Sequence, residues 1–185
     1  RDLVRSRGLG DVYKRQDIIY IFSKDILRHR RAQKEDAVWL KKGEEYKDET
    51  LSVRAFGSTD VGVSFLLQAS GKKIFHAGDL NNWHWMDEST EAQWKGAEKN
   101  FLHELDDLYA YTPEVDVAMF PVDPRLGKEY MRGAGQFVTK IKTHIFVPMH
   151  FTPEYAKANA FRDFAEAHGV RFVSLTHRGQ KIEIE

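Results

Sequence analysis

His76-Ala77-Gly78-Asp79-Leu80-Asn81-Asn82-Trp83-His84-Trp85 is the stretch that decides how this chain reads. The apolar run Lys73-Ile74-Phe75 feeds a strand directly into a Gly-Asp turn. Gly78 lets the backbone bend sharply, and Asp79 then places a carboxylate at the tip of a rigid sheet, where a metal ligand can be held still. The polar and aromatic residues that follow are expected outside the core. A second signal comes 71 positions after Asp79: Ile145-Phe146-Val147-Pro148-Met149-His150, another buried-strand pattern that ends in an imidazole. A carboxylate and an imidazole at the ends of two strands point to a metal site.

Outward from these two strands, the periodicity predicts a layered α/β domain. Asp17 to Phe22, Ala37 to Leu40 and Thr50 to Phe56 read as strands, and Ser23 as the cap of a short helix through Leu27. Val61 to Ala69 and Lys73 to Phe75 read as a hairpin joined at Ser70-Gly71. Thr90 and Gln93 form a capping box for a helix reaching Tyr109, with Trp94, Ala97, Phe101, Leu105 and Leu108 as its apolar stripe. Val115 to Phe120 and Ile145 to Val147 are buried strands around a helix at Gly135 to Ile141. Thr152-Pro153 starts a further helix that Gly169 ends, and Val170 to Leu175 and Lys181 to Ile184 close the chain as strands. Strands first, then alternating helix and strand, give sheets covered by helices.

The first sixteen residues, Arg1 to Gln16, read differently. They are basic and lack apolar periodicity, and Ser6 to Gln16 is similar to the translation of a transposase-type sequencing adapter. The segment is expected to be non-native and is set aside from fold reasoning. A natural N-terminal part would then be missing, and residues 17–185 would be the C-terminal portion of one domain. The whole chain balances 28 Lys and Arg against 28 Asp and Glu; the first sixteen hold five and two of these, so the remaining 169 residues carry 23 and 26, a net charge of −3. No basic patch argues for nucleic acid. There is no cysteine, which removes disulfides, thiolate zinc sites and cysteine nucleophiles and fits a reducing, cytoplasmic compartment. No apolar run approaches the roughly 20 residues that span a bilayer.

Three motifs together resemble a known family. Gly57-Ser58-Thr59-Asp60-Val61-Gly62, His76-Ala77-Gly78-Asp79-Leu80-Asn81-Asn82-Trp83-His84-Trp85 and Pro148-Met149-His150 look like the C-terminal part of a metallo-β-lactamase-fold hydrolase, in a bacterial subgroup. The resemblance implies an αββα sandwich, incomplete at the N-terminus here, with metal at one edge between the sheets. It implies Asp79 as a ligand bridging two metals and His150 as a ligand of the second. The family's His-x-His-x-Asp-His loop is absent from the chain; in full-length relatives it precedes a strand like Asp17 to Phe22. The histidine usual near Gly-Ser-Thr-Asp is also absent, so Asp60 is the stand-in ligand, with His84 or a weak second metal as the alternatives.

The implied cofactor is a divalent metal, Zn²⁺ first and Mn²⁺ or Fe²⁺ next, as one or two ions in the intact protein. The implied activity is metal-assisted hydrolysis of a small ester, lactone, amide or phosphodiester, with Asp79 orienting the water and His84 as the proton donor. Trp83 and Trp85 are candidate pocket walls, and Arg125 a candidate binder of an anionic substrate. Plainer readings stand beside these. Asp60 also suits a turn, His84 also suits simple packing, and Asp123-Arg125 also reads as an ion pair that fixes a loop. His76 reads as structural, and His29, His103, His144, His168 and His177 carry no motif. Two rival descriptions remain: a non-catalytic α/β fragment that self-associates through exposed strands, and a metal-free module that binds small molecules.

Overall fold

A computed structural model of the chain describes residues 18–28 and 37–183. The expectations for the first sixteen residues and for His29 therefore lie outside the described residues. The order of elements is β1 (Tyr20–Ser23), β2 (Ala37–Leu40), β3 (Glu45–Lys47), β4 (Leu51–Phe56), β5 (Ser64–Ala69), β6 (Lys72–His76), α1 (Glu91–Tyr111), β7 (Glu114–Pro121), α2 (Arg132–Lys140), β8 (Lys142–Met149), α3 (Tyr155–Asn159), α4 (Arg162–Ala167) and β9 (Arg171–Phe172). Short 3-10 turns span Lys24–Arg28 and Pro124–Glu129.

Strands β3 to β9 form one sheet in sequence order, antiparallel from β3 to β6 and parallel from β6 to β9. The change of direction follows from the connections. Ser70 and Gly71 both take positive φ, 50° and 74°, the left-handed pair that a tight two-residue hairpin needs. From β6 onward, the parallel strands need long crossovers, which α1 and α2 provide. Helices bury one face of the parallel strands, the face that carries Phe75, Phe120 and Phe146.

One core lies between the helices and the sheet and is largely phenylalanine. Phe75, Phe120 and Phe146 on the strands meet Phe101 of α1, Phe137 of α2 and Phe161, and all six are fully buried. The rings of Phe120 and Phe137 are 4.6 Å apart, and those of Phe146 and Phe161 5.0 Å. Each such burial contributes about 1.5–3 kcal/mol. On the opposite face, Leu40 of β2 packs with Val53 and Ala55 of β4, flanked by Ile21, Val38, Phe65 and Leu67. Strands β1 and β2 pair in parallel as a separate two-stranded sheet. Helices over one face and a small second sheet over the other give the expected α/β layering; the fourth layer of an αββα sandwich is not among the described residues.

Several local expectations hold. Thr90 caps α1 with the reciprocal Gln93 bonds of a capping box. Others need correction. Strand β3 has no counterpart in the sequence reading. Trp94 is only half-buried, because the buried stripe of α1 begins at Phe101. Thr152 does not cap a helix: its φ is 53° and its hydroxyl donates to the Phe151 carbonyl, so α3 begins later, at Tyr155. Residues 181–183 form no strand.

Candidate metal centre

Three adjacent parallel strands deliver their next residues to one edge of the sheet. Strand β6 runs on through Ala77, whose N–H bonds the Met119 carbonyl at 2.9 Å, into the turn at Gly78. Gly78 has φ +58°, and a Cβ there would lie 2.9 Å from the Val63 carbonyl oxygen, so the turn admits only glycine without strain. Asp79 follows, its side chain 38% exposed. Strand β7 continues through Val122, bonded to the Met149 carbonyl, to Asp123, which is fully buried. Strand β8 ends at Met149, and His150 follows with φ +64°. A non-glycine residue in that region costs on the order of 1–3 kcal/mol and persists where its surroundings hold it.

Here the surroundings do hold it. His150 Nδ1 is 2.8 Å from Asp123 Oδ2, and His150 Nε2 is 3.3 Å from Asp79 Oδ1. The Arg125 guanidinium grips Asp123 through Nε, at 2.9 and 3.0 Å to the two oxygens, and through Nη2 at 2.5 Å. The Arg125 backbone N–H also donates to Asp123 at 3.0 Å, which caps the following 3-10 turn. Burial alone would raise the Asp123 carboxyl, but Arg125 and His150 outweigh it and hold its pKa below the ordinary value. The same carboxylate raises the pKa of Arg125.

An ionised Asp123 can only accept, so His150 Nδ1 carries the proton that it donates. In the neutral ring, Nε2 then presents a lone pair toward a second acceptor, Asp79 Oδ1. Two acceptors at 3.3 Å need a proton or a cation between them. Two donors at the ~2.0–2.2 Å bond lengths of a tetrahedral Zn²⁺ site would stand about 3.3 Å apart, so the spacing fits one ion held by both. Among the described residues, no group of three or more His, Asp or Glu side chains is arranged to hold a metal ion. Asp79 and His150 are thus two adjacent potential donors, fewer than the three that such a group requires.

The structure places the other sequence candidates as follows. Trp83 stands edge-on to His150, ring centres 5.3 Å apart, and its Nε1–H donates to the Asp79 carbonyl at 2.8 Å. Trp85 stacks on Trp83 at 6.4 Å. Arg125 is at the edge too, half-exposed, with Nη2 3.3 Å from His150 Nδ1. Asp60 is not brought to this edge: it is exposed in a bend and borders a cleft that faces α1. His84 is also a correction. It is buried, its Nδ1 accepts the Met86 N–H at 3.1 Å, and its Nε2 meets the Glu129 carbonyl at 3.1 Å. With both ring nitrogens engaged by backbone, it braces the loop and is not free to donate a proton to a leaving group. His76, read as structural, accepts the Gly78 N–H through Nδ1 at 3.1 Å.

Sequence reasoning also misplaced the polar residues of the motif. Asn81 and Asn82 are fully buried. Asn82 Nδ2 donates to Gln136 of α2 at 2.9 Å and to Glu98 of α1 at 3.3 Å. Glu98 in turn takes Arg132 Nε at 2.7 Å and Gln136 Nε2 at 2.6 Å. Arg132 first, with Gln136 and Asn82, keeps the Glu98 carboxyl below its usual value against the burial that would raise it. Thr59 Oγ1 donates to the Asn81 carbonyl at 2.6 Å and accepts the Asn81 N–H at 3.0 Å. The loop that carries Asp79 is therefore clamped from α1, α2 and the Gly57–Asp60 turn. Asp123 as the partner of His150 was the residue missed; its only signal was an aspartate directly after a buried strand and before Pro124.

No family model matches the chain, and no curated protein does. Solved structures do. A protein of Parabacteroides distasonis, provisionally described as a metal-dependent hydrolase, aligns with TM-score 0.58 and 15% identity over 85% of this chain and 64% of its own. Igni18, a metallo hydrolase of the archaeon Ignicoccus hospitalis, aligns with TM-score 0.56 and 17% identity over 89% and 68%. The metallo-β-lactamase fold protein YhfI of Bacillus subtilis aligns with TM-score 0.53 and 5% identity over 84% and 61%. The chain spans about two thirds of the length of these proteins.

Proposed function

The chain has the metallo-β-lactamase fold, and on that premise we propose that it forms part of the divalent-metal centre of a hydrolase of small molecules. The observation that carries this reading is the pair Asp79 Oδ1 and His150 Nε2, 3.3 Å apart, with the other ring nitrogen of His150 held 2.8 Å from the buried Asp123 carboxylate. Both would be ligands. Bound there, a divalent ion supplies a Lewis acid and an activated water.

The protein's own groups do the rest. Asp123 fixes the ring and tautomer of His150 and raises its basicity as a ligand. Asp79 also accepts a hydrogen bond from the attacking water and so orients it. The Arg125 guanidinium is half-exposed beside the pair and binds an anionic part of a substrate ester, lactone, amide or phosphodiester. Trp83 and Trp85 form an apolar wall that keeps bulk water from one side of the reacting bond. The metal is Zn²⁺ in this reading, with Mn²⁺ and Fe²⁺ as the alternatives that oxygen and imidazole donors also suit.

The test is Zn²⁺ titration of the chain, followed by the imidazole signals of His150. Saturable perturbation that Asp79→Ala removes supports the assignment. Equal zinc affinity in the parent chain, Asp79→Ala and His150→Ala would defeat it. A second reading rests on the lack of a third converging donor among the described residues: the chain holds an ion without turning over substrate. Chelator-sensitive hydrolysis of an ester, lactone or phosphodiester by the chain would exclude that reading.

A further inference from the structure

A cleft of about 510 Å³ lies between the Gly57–Asp60 turn and α1, outside the Asp79–His150 pair. Its walls include Ser58, Thr59, Asp60, Trp83, Asn100 and His103. We propose that this cleft is a subsite for a polyhydroxylated, sugar-like group, sharing the Trp83 indole with the candidate metal centre. The proposal deepens the hydrolase reading by naming a substrate class, and its test does not need the metal.

Four observations carry it. First, Trp83 has two neighbours: its ring meets His150 at 5.3 Å, and the same residue borders the cleft. A group seated in the cleft is thus one indole away from the reacting edge. Second, the polar walls have spare capacity. The Asp60 carboxylate and the Asn100 carboxamide make no hydrogen bond or ion pair to another described residue. Between them they offer both acceptors and donors, which is what vicinal hydroxyls require, each being donor and acceptor at once. Third, the cleft has rigid sides. Thr59 is locked to the Asn81 backbone in both directions, at 2.6 and 3.0 Å, and α1 is a helix of 21 residues.

Fourth, the charge does not favour an anion. Among the described residues no lysine or arginine lines the cleft, and its one imidazole, His103, stands with the carboxylates of Asp60 and of Glu104, the latter paired with Lys42 at 2.7 Å. Asp60 alone is an exposed carboxylate, worth little as an ammonium anchor in water. A single indole beside neutral and acidic hydrogen-bonding groups suits the C–H face and the hydroxyls of a sugar. The volume is within the roughly 300–1,000 Å³ range of small-molecule sites.

The experiment is NMR titration of the metal-free chain, reading the indole N–H of Trp83, assigned by its disappearance in Trp83→Phe. Methyl α-D-glucopyranoside is the probe, and tetramethylammonium the cationic comparator. A saturable shift with the glycoside is expected in the millimolar range. Asn100→Leu and Asp60→Ala should each weaken it about tenfold, the effect of one lost hydrogen bond. Asp79→Ala should leave it unchanged, which separates this subsite from the metal assignment. A linear, unsaturable response, equal affinity in Asn100→Leu and Asp60→Ala, or saturation by tetramethylammonium in place of the glycoside would overturn the proposal.

Discussion

Replacing Asp123 by asparagine tests the arrangement at its centre. The side chain is fully buried and its shape is preserved, so the change is one of hydrogen-bond polarity. The carboxylate accepts from Arg125 N, Nε and Nη2 and from His150 Nδ1. A carboxamide accepts through one oxygen only. If that oxygen stays with Arg125, the new amino group faces His150 Nδ1 and donates to it. The ring proton then moves to Nε2, and the lone pair that faced Asp79 is gone. Losing one or two charge-assisted bonds costs about 2–4 kcal/mol in folding stability, at ~1.5–3 kcal/mol each and partly recovered by the amide. For a chain of this size, that lowers Tm by roughly 4–16 °C at ~2–4 °C per kcal/mol. Zinc affinity should fall about 10–100-fold. The assay is ¹⁵N NMR of the His150 ring in both chains, with zinc titration alongside. If Nε2 stays unprotonated in Asp123→Asn and zinc affinity is unchanged, Asp123 does not set the tautomer and the reasoning fails.

Three further outcomes follow from other parts of the molecule. Glu98 has its carboxyl pKa lowered in the folded state, so its stabilisation is complete above its unfolded value of ~4.3 and is lost as pH falls through the folded value; urea unfolding between about pH 6 and about pH 3 should show a shallower acid loss in Glu98→Gln. Gly133→Ala would set a Cβ 2.0 Å from Asn81 Oδ1 and 3.0 Å from the Asn82 nitrogen, so it should destabilise by about 1–3 kcal/mol despite alanine's better helix propensity, and a higher urea midpoint would contradict the packing described. Phe120→Ala, at the centre of the aromatic cluster, should cost about 3–5 kcal/mol, and a loss below ~1 kcal/mol would mean that the cavity closes without penalty.

Much of this molecule is legible in the sequence because its signals are local. The Thr90–Gln93 capping box and the Ser70-Gly71 hairpin are set by side chains and backbone preferences within a few residues. The placement of Asp79 and His150 was legible because each follows a buried strand. Their approach to 3.3 Å is a property of the sheet order and cannot be read from either segment alone. The misreadings inside the motif share one physical cause. Asn82 looks like a surface residue until Glu98 and Gln136 arrive from 16 and 54 positions away, and His84 has no visible partner until the Glu129 carbonyl, 45 positions away, reaches it. Burial of a polar side chain depends on partners, and partners distant in sequence leave no periodic trace. Asp60 was read as a ligand or as a turn residue, and it stands in an exposed bend beside Thr59, which grips Asn81.

Strands β6, β7 and β8 lie in parallel register, with His76 opposite Met119 and Met119 opposite Val147, so their exits fall side by side. A slip of one residue in either pairing would turn Asp123 or His150 to the wrong side of the sheet. No partly folded form that lacks these pairings can therefore offer the two-donor grip. A cation held by this grip, as proposed above, would act as a selective ballast for the native state alone, and raising its concentration should then delay thermal melting by mass action while leaving the unfolded chain untouched.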